Sequence, residues 1–174
     1  MPNATFAGHP LHPQLIVAPA ALLPFSLVMD VMHKQTGDPS YAKAAYYTMV
    51  GGFVGGLAAG AAGAADYTTI PSDDKVKNIA SLHGILNIGL LGLTAMNLLL
   101  RRGRDRKPGV VPLLLSMVGT AGVVVSAWYG GHLVYEHGMR VKAAGGPSRV
   151  PEIKLPGDEK LKEALTTFQE KLTQ

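Results

Sequence analysis

The stretch LIVAPAALLPFSLVM, residues 15–29, contains no charged residue. With its neighbours it forms an apolar segment at about 14–32, close to the roughly 20 residues that a helix needs to cross the hydrocarbon core of a bilayer. Three more segments of this kind follow at about 46–65, 79–100 and 110–134. The sequence therefore predicts an all-α fold, an integral membrane bundle of four spanning helices.

The composition agrees with a membrane environment and excludes several kinds of site. Hydrophobic residues make up 47% of the 174 residues and charged residues only 16%, well below the usual share. The chain has no cysteine, which excludes disulfides, thiolate metal sites and iron–sulfur clusters held by this chain. The net charge of +4 comes from basic residues that gather in one loop and the tail. Membrane topology explains that distribution, so we expect no nucleic-acid partner.

The connections between the spans predict the orientation of the bundle. RRGRDRK, residues 101–107, carries five basic residues, and the first loop adds Lys34 and Lys43. Basic residues concentrate in cytoplasmic loops, so we expect the first and third loops in the cytoplasm and both termini on the other side. No basic segment precedes the first span, which we therefore interpret as a retained helix rather than a signal peptide.

The chain divides into a membrane part and a tail. Residues 1–142 hold the four spans, and residues 143–174 are predicted to be an extramembrane linker followed by a short helix. DEKLKEALTTFQEKL, from Asp158, begins with an N-cap residue and has an apolar stripe at helical spacing, which predicts an amphipathic helix. This helix is too short to span a membrane, so we expect it to rest on the lipid, on the bundle or on a partner.

The second span is unusually rich in small residues. GGFVGGLAAGAAGAA, residues 51–65, places glycine and alanine in two rows at four-residue spacing. Such rows permit close packing of helices in lipid. They also offer a smooth surface against which a flat cofactor could lie.

Five of the six histidines fall at one end of the predicted bundle, although they come from distant parts of the chain. At this end lie His9, His12, His83, His132 and His137, together with Asp66, Glu136 and Arg140. His83 shares a helix face with Asn87, Thr94 and Asn97, and polar groups in a spanning helix normally face the bundle interior. This convergence predicts a polar site inside one end of the bundle, whereas His33 lies at the other end.

Local spacing gives expectations for two histidine pairs. In GHPLHP, residues 8–13, a proline follows each histidine, so we expect His9 and His12 to be extended and Pro13 to begin the first span. About 9 Å apart along an extended chain, the two imidazoles suit separate contacts better than one shared metal. His137 follows His132 by five residues, about 140° around a helix in that register, so we expect the two not to face one ligand.

Four motifs together resemble a known family. They are GHPLHP, the Asp66–Tyr67 pair, SLHG at residues 81–84 and WYGGHLVYEHG at residues 128–138. Over roughly residues 7–142 the chain resembles the bacterial membrane family called domain of unknown function 2231. The resemblance implies a four-helix domain of the bacterial inner membrane without an assigned activity. Relatives sometimes occur with Rieske-type iron–sulfur domains, which implies a redox setting with other membrane or redox subunits as partners.

Three functions remain open at this stage. In the first, a b-type haem is held by His83 and His132 as an axial pair, with Arg140, His9 or His12 near its propionates. In the second, a divalent metal or a quinone is bound by His83, His132, Asp66 and Glu136, with or without His12. In the third, the chain is an accessory or assembly subunit whose histidine cluster is structural. No nucleophile–base pair or phosphate-binding loop is apparent, so we do not expect this chain to be an enzyme on its own.

Overall fold

The computed structural model describes residues 5–6, 9–70, 75–101, 106–139, 163–164, 166–168 and 170–171. The helices in these ranges are α1 (Leu11–Leu15), α2 (Val17–Thr36), α3 (Pro39–Tyr67), α4 (Lys75–Leu100) and α5 (Val110–Tyr135). Two strands of two residues each, β1 (Thr5–Phe6) and β2 (His9–Pro10), pair antiparallel before α1. The chain separates into two compact units, Met1–Met139 and Arg140–Gln174.

The four predicted spans correspond to four helical segments that are long and apolar enough to cross a membrane. These are Leu11–Thr36, Pro39–Tyr67, Lys75–Leu100 and Val110–Tyr135. The all-α class and the four-helix membrane architecture are therefore confirmed. The third segment starts within four residues of its prediction and the fourth matches closely, but the second begins at Pro39 rather than near residue 46. Hydropathy marks only the apolar part of a helix, whereas capping and packing set its ends.

The four long helices pack around a square in chain order. Helix α2 contacts α3 and α5, and α4 contacts the same two neighbours, while short α1 lies against α3. Consecutive helices run in opposite directions because short connections join them. One end of the bundle therefore brings together α1, the end of α3, the start of α4 and the end of α5.

Glycines let α2 and α3 approach each other closely. A Cβ added at Gly52 would lie 2.7 Å from Leu23 Cδ2, and one added at Gly55 would lie 2.6 Å from the Cβ of Ala18. Neither contact leaves room for a side chain. The prediction that the small residues of the second span permit close helix packing is therefore confirmed.

The connection from α2 to α3 is a compact capped turn. Gly37 adopts the left-handed conformation, with φ of 73°, that ends many helices. The Asp38 carboxylate accepts a hydrogen bond from the backbone N–H of Ser40 at 2.8 Å, and Pro39 is the first residue of α3. His33 Nδ1 bonds to the backbone carbonyl of Asp38 at 2.8 Å. The one histidine predicted at this end of the bundle therefore has a local structural role.

The start of the first span differs from the sequence prediction. His9 is extended within β2, as predicted, but His12 is the second residue of α1 and Pro13 is the third. The expectation that His12 is extended and that Pro13 begins the helix is therefore wrong. Proline fits the first helical turn because its missing N–H would have no intrahelical partner there. A hydrogen bond from His12 to α3 accompanies the helical conformation.

The second unit is described only in part. Asp158 and the linker lie outside the described residues, so the predicted N-cap of the tail helix does too. Residues 163–164, 166–168 and 170–171 are helical, and the side chain of Phe168 is exposed. The described tail residues agree with a short helix after the membrane unit.

Candidate functional site

The structure brings His12 of α1 and His83 of α4 together. Their ring centroids lie 6.2 Å apart and their planes are nearly perpendicular, at 88°. We call the end of the bundle that holds these two residues and His132 the histidine end. Both imidazoles of the pair are partly buried.

Each ring of this pair is oriented by a backbone carbonyl from another helix. His12 Nδ1 lies 2.8 Å from the carbonyl oxygen of Ala59 on α3. His83 Nδ1 lies 3.0 Å from the carbonyl oxygen of Ser126 on α5. A carbonyl oxygen can only accept, so each Nδ1 carries the proton and each Nε2 keeps its lone pair. Imidazoles that bind metals in proteins commonly have this arrangement.

Asn87, one turn further along α4, completes the surroundings of His83. Its amide nitrogen donates to Ser126 Oγ at 2.7 Å and to the backbone carbonyl of His83 at 2.8 Å. A third and longer contact, of 3.2 Å, reaches His83 Nε2. The first two acceptors satisfy both amide hydrogens, so Asn87 can release Nε2 without losing its better hydrogen bonds.

Glycines make room for both rings. A Cβ added at Gly63 of α3 would lie 3.0 Å from His12 Nδ1. A Cβ added at Gly130 of α5 would lie 3.2 Å from His83 Cε1. Gly63 and Gly130 therefore leave space for the two imidazole rings.

His132 has different neighbours. Its ring stacks on Trp128, with centroids 5.4 Å apart and planes at 10°, and contacts the ring of His137 at 5.0 Å. Within the described residues, the imidazole that meets His83 is that of His12. The predicted axial role of His132 toward His83 has no supporting ring contact and stays a prediction.

The contact between His132 and His137 corrects another expectation. A continuous helix would place these rings about 140° apart. Helix α5 ends at Tyr135, however, and Gly138 adopts a left-handed φ of 62°. Gly138 follows His137, so it ends the helix after the pair. The two rings are in edge contact, with their planes at 85°.

The remaining predicted site residues are described only in part. Asp66 is buried at the end of α3, and Glu136 is exposed just after α5. The described part of His9 is its backbone in β2, and Arg140 lies outside the described residues. No three His, Cys, Asp or Glu side chains come close enough to hold a metal within the ranges that the structure describes. The four-residue metal set of His83, His132, Asp66 and Glu136 is therefore not gathered.

Sequence reasoning missed a buried ion pair at the opposite end of the bundle. Arg101 donates to both oxygens of Asp30, from Nη1 and Nη2, each at 2.6 Å. Both side chains are 0% exposed. Arg101 directly follows α4, at the start of the basic connection, and it is buried. The signal was present, because a lone carboxylate inside an apolar span requires a polar partner.

Neutral polar groups complete this ion pair. Arg101 Nε donates to Asn97 Oδ1 at 2.7 Å, and Asn97 Nδ2 donates to Ser116 Oγ at 2.9 Å. Ser116 Oγ in turn donates to Asp30 Oδ2 at 3.2 Å. The prediction that Thr94 and Asn97 face the bundle interior is confirmed, since they are 8% and 2% exposed.

A small cavity adjoins the network of polar groups around the ion pair. Its volume is about 20 Å³, and its lining includes Asn97, Ser116 and Thr120. Such a volume holds about one water molecule. Thr120 Oγ1 is buried and has no hydrogen-bond partner in the protein, so a water there would satisfy it.

Comparison with known proteins identifies the family of this chain. Residues 8–143 match the family described as predicted membrane protein, DUF2231. The chain belongs to the DUF2231 family. The matched range includes His12, His83 and the ion pair Asp30–Arg101, so the histidine site and the ion pair both lie inside the DUF2231 domain. No curated protein and no solved structure matches the chain significantly.

Proposed function

We propose that this protein is a membrane-embedded redox subunit that binds a b-type haem at the histidine end. His12 and His83 would be the two axial ligands. The observation that carries the proposal is the pair of neighbouring imidazoles, each with Nδ1 bonded to a backbone carbonyl, which leaves Nε2 as the nitrogen that could bind iron. The proposal moves one axial role from His132 to His12.

The spacing of the pair fits a single iron between the rings. Two imidazole nitrogens bound about 2 Å from one metal, on opposite sides, place the ring centres about 6 Å apart. The observed separation is 6.2 Å. Rotation about a metal–nitrogen bond leaves that distance unchanged, so the perpendicular planes are compatible with the same arrangement.

The chain would orient the two ligands and leave space for their rings. The carbonyls of Ala59 and Ser126 fix the two ring orientations, and Gly63 and Gly130 leave space for the rings. Haem, when bound, supplies one-electron transfer at its iron. Arg140 and His9 remain the proposed contacts of the propionates, because the sequence places both near this end.

The proposal includes the membrane in which the protein lies, its orientation and its partners. We place the protein in the bacterial inner membrane with the histidine end on the non-cytoplasmic side, since the basic connections lie at the opposite end. Electron exchange requires a donor and an acceptor, so other redox subunits are the proposed partners. The tail, with its exposed Phe168, is the proposed element for docking them.

Optical spectra of the purified full-length protein test the haem proposal. Reduced-minus-oxidised spectra should show the sharp α band of a six-coordinate haem. His12→Ala and His83→Ala should each abolish it, whereas His33→Ala should leave it intact because His33 lies in the last turn of α2, at the other end of the bundle. Loss of the band in His132→Ala but not in His12→Ala would instead support the axial pair predicted from sequence.

A matched pair of glycine variants tests the geometry without removing a ligand. Gly63→Ala should shift or weaken the α band, because its Cβ would press on the His12 ring. Gly60→Ala on the same helix should leave the band unchanged, since nothing lies within 4 Å of its Cβ. Equal spectra for both variants would contradict the placement of the iron beside His12.

A structural role for the histidines is the second candidate. It is favoured by the fact that both Nδ1 hydrogen bonds join different helices, α1 to α3 and α4 to α5. In that case the chain is an accessory or assembly subunit. A folded preparation without a Soret band, in which His12→Asn and His83→Asn keep normal accumulation, would support it.

A further inference from the structure

We propose that His132 and His137 form a second site, at the solvent-facing end of α5, for a divalent transition-metal ion such as Cu²⁺, Ni²⁺ or Zn²⁺. This site is separate from the pair His12–His83 and does not depend on haem. Its ligands would be two imidazoles of one short segment, with water completing the coordination of the ion.

The pair lies at the C-terminal end of α5. The backbone N–H of Glu136 still bonds to the carbonyl of His132 at 3.0 Å, and the N–H of Met139 reaches back to the carbonyl of Leu133, also at 3.0 Å. Gly138, directly after His137, has φ of 62°, a conformation that L side chains rarely adopt, and it ends the helix there. The rings of His132 and His137 are in edge contact, with their planes at 85°.

Stacking fixes one of the two ligands. The His132 ring lies nearly parallel to the indole of Trp128, at 10°, so the indole covers one face of the imidazole. Leu133, the next residue, is buried in a core cluster with Ile79 and Tyr129, which anchors this part of the helix. His132 is thus held in place before any ion arrives, which lowers the entropy lost on binding.

The separation of the rings suits a shared ion. Two imidazole nitrogens on adjacent positions of one tetrahedral ion, each about 2 Å from it, place the ring centres about 5 Å apart. The centroids of His132 and His137 are 5.0 Å apart. His137 is exposed, so its ring can turn to aim a nitrogen at the ion without disturbing packed neighbours.

The nature of the ligands selects the class of ion. Imidazole suits Cu²⁺, Ni²⁺ and Zn²⁺, whereas Mg²⁺ and Ca²⁺ prefer oxygen ligands. Glu136 is exposed between the two histidines in sequence and adds negative charge at this end. The site is therefore expected to bind transition-metal ions and not to bind Mg²⁺.

The chain contains one tryptophan, and it stacks on His132, which gives a direct test. Cu²⁺ titrated into the full-length protein should quench the emission of Trp128 saturably at about one equivalent, with micromolar affinity. Zn²⁺ should reverse the quenching by competition, and Mg²⁺ should not. Electron paramagnetic resonance of the bound Cu²⁺ should show two nitrogen ligands.

Histidine substitutions test which residues bind the ion. His137→Gln should weaken Cu²⁺ binding by about tenfold or more, because one of the two protein ligands is removed. His33→Gln at the other end of the bundle and His12→Gln should leave it unchanged. Quenching that survives unaltered in His137→Gln, or that His12→Gln removes, would overturn the proposal. Since His137 is exposed, its variant should fold, and the haem spectrum of the same preparation reports on the other site separately.

Discussion

Asp30 shows how one residue inside an apolar span determines the packing around it. An unpaired carboxylate at membrane depth costs free energy, so it must pair with a cation or take up a proton. Arg101, which directly follows α4, is that cation. Asn97 accepts a hydrogen bond from Nε of Arg101, and Ser116 donates one to the carboxylate of Asp30. The result fixes α2 against α4 and α5 at this end of the bundle.

Breaking this ion pair should be strongly destabilising. Asp30→Ala leaves the guanidinium of Arg101 buried without its counter-ion, and such changes cost about 3–5 kcal/mol. The combined variant Asp30→Leu with Arg101→Met should recover much of that loss, because both charges disappear together. Thermal unfolding in detergent measures the difference, with Lys34→Ala as the exposed control. An Asp30→Ala protein as stable as wild type would show that the pair contributes nothing.

Two helix ends show where local rules and packing disagree. The rule that a residue before proline avoids the α region predicted His12 to be extended, yet it lies inside α1. The histidine is tied to α3 by its hydrogen bond to Ala59, which the sequence around it does not reveal. Similarly, helical spacing predicted His132 and His137 to lie about 140° apart around α5, yet their rings are in contact.

The start of α3 follows local rules and has a measurable pH dependence. Hydrogen bonds from Ser40, its backbone N–H first, hold the pKa of the Asp38 carboxyl below its ordinary value of 3.8. A lowered folded-state pKa means that the cap stabilises the helix above the unfolded pKa and loses this effect as pH falls through the folded value. Asp38→Ala should therefore lower the unfolding midpoint slightly at pH 5–7, with the difference from wild type shrinking below about pH 4.

The matched control for this cap is Asp38→Asn. Asparagine caps helices about as well as aspartate but does not titrate in this range. Its unfolding midpoint should stay near that of wild type at neutral pH and should not show the acid-dependent loss assigned to Asp38. An Asp38→Ala difference that persists unchanged into strong acid would mean that the cap does not act through the carboxylate.

At the scale of the whole molecule, hydropathy predicted the helices of the fold, whereas the polar residues did not predict which histidines are in contact. Apolar segments of spanning length have few alternatives in lipid, so the four helices and their order followed from sequence. Which histidines meet depends on how each helix is rotated about its axis, and that is set by contacts such as those of Gly63 and Gly130 with the rings. The sequence therefore predicted five histidines at one end, but the contact between His12 and His83 could not be predicted from it.

The orientation of the bundle in the membrane is the last prediction. Asp30 neutralises Arg101, so the charge bias of the third connection rests on its other basic residues, together with Lys34 and Lys43 of the first loop. Arg106 lies over the ring of Tyr46 at 4.1 Å, a contact that suits an interfacial aromatic belt beside the cytoplasm. We therefore expect alkaline phosphatase fused after Gln174 to be active and a fusion after Lys107 to be inactive. A cytoplasmic fluorescent reporter at the same two positions should give the opposite pattern. If the C-terminal fusion reports cytoplasm instead, the histidine end faces the cell interior, and the proposed redox partners must be sought on that side.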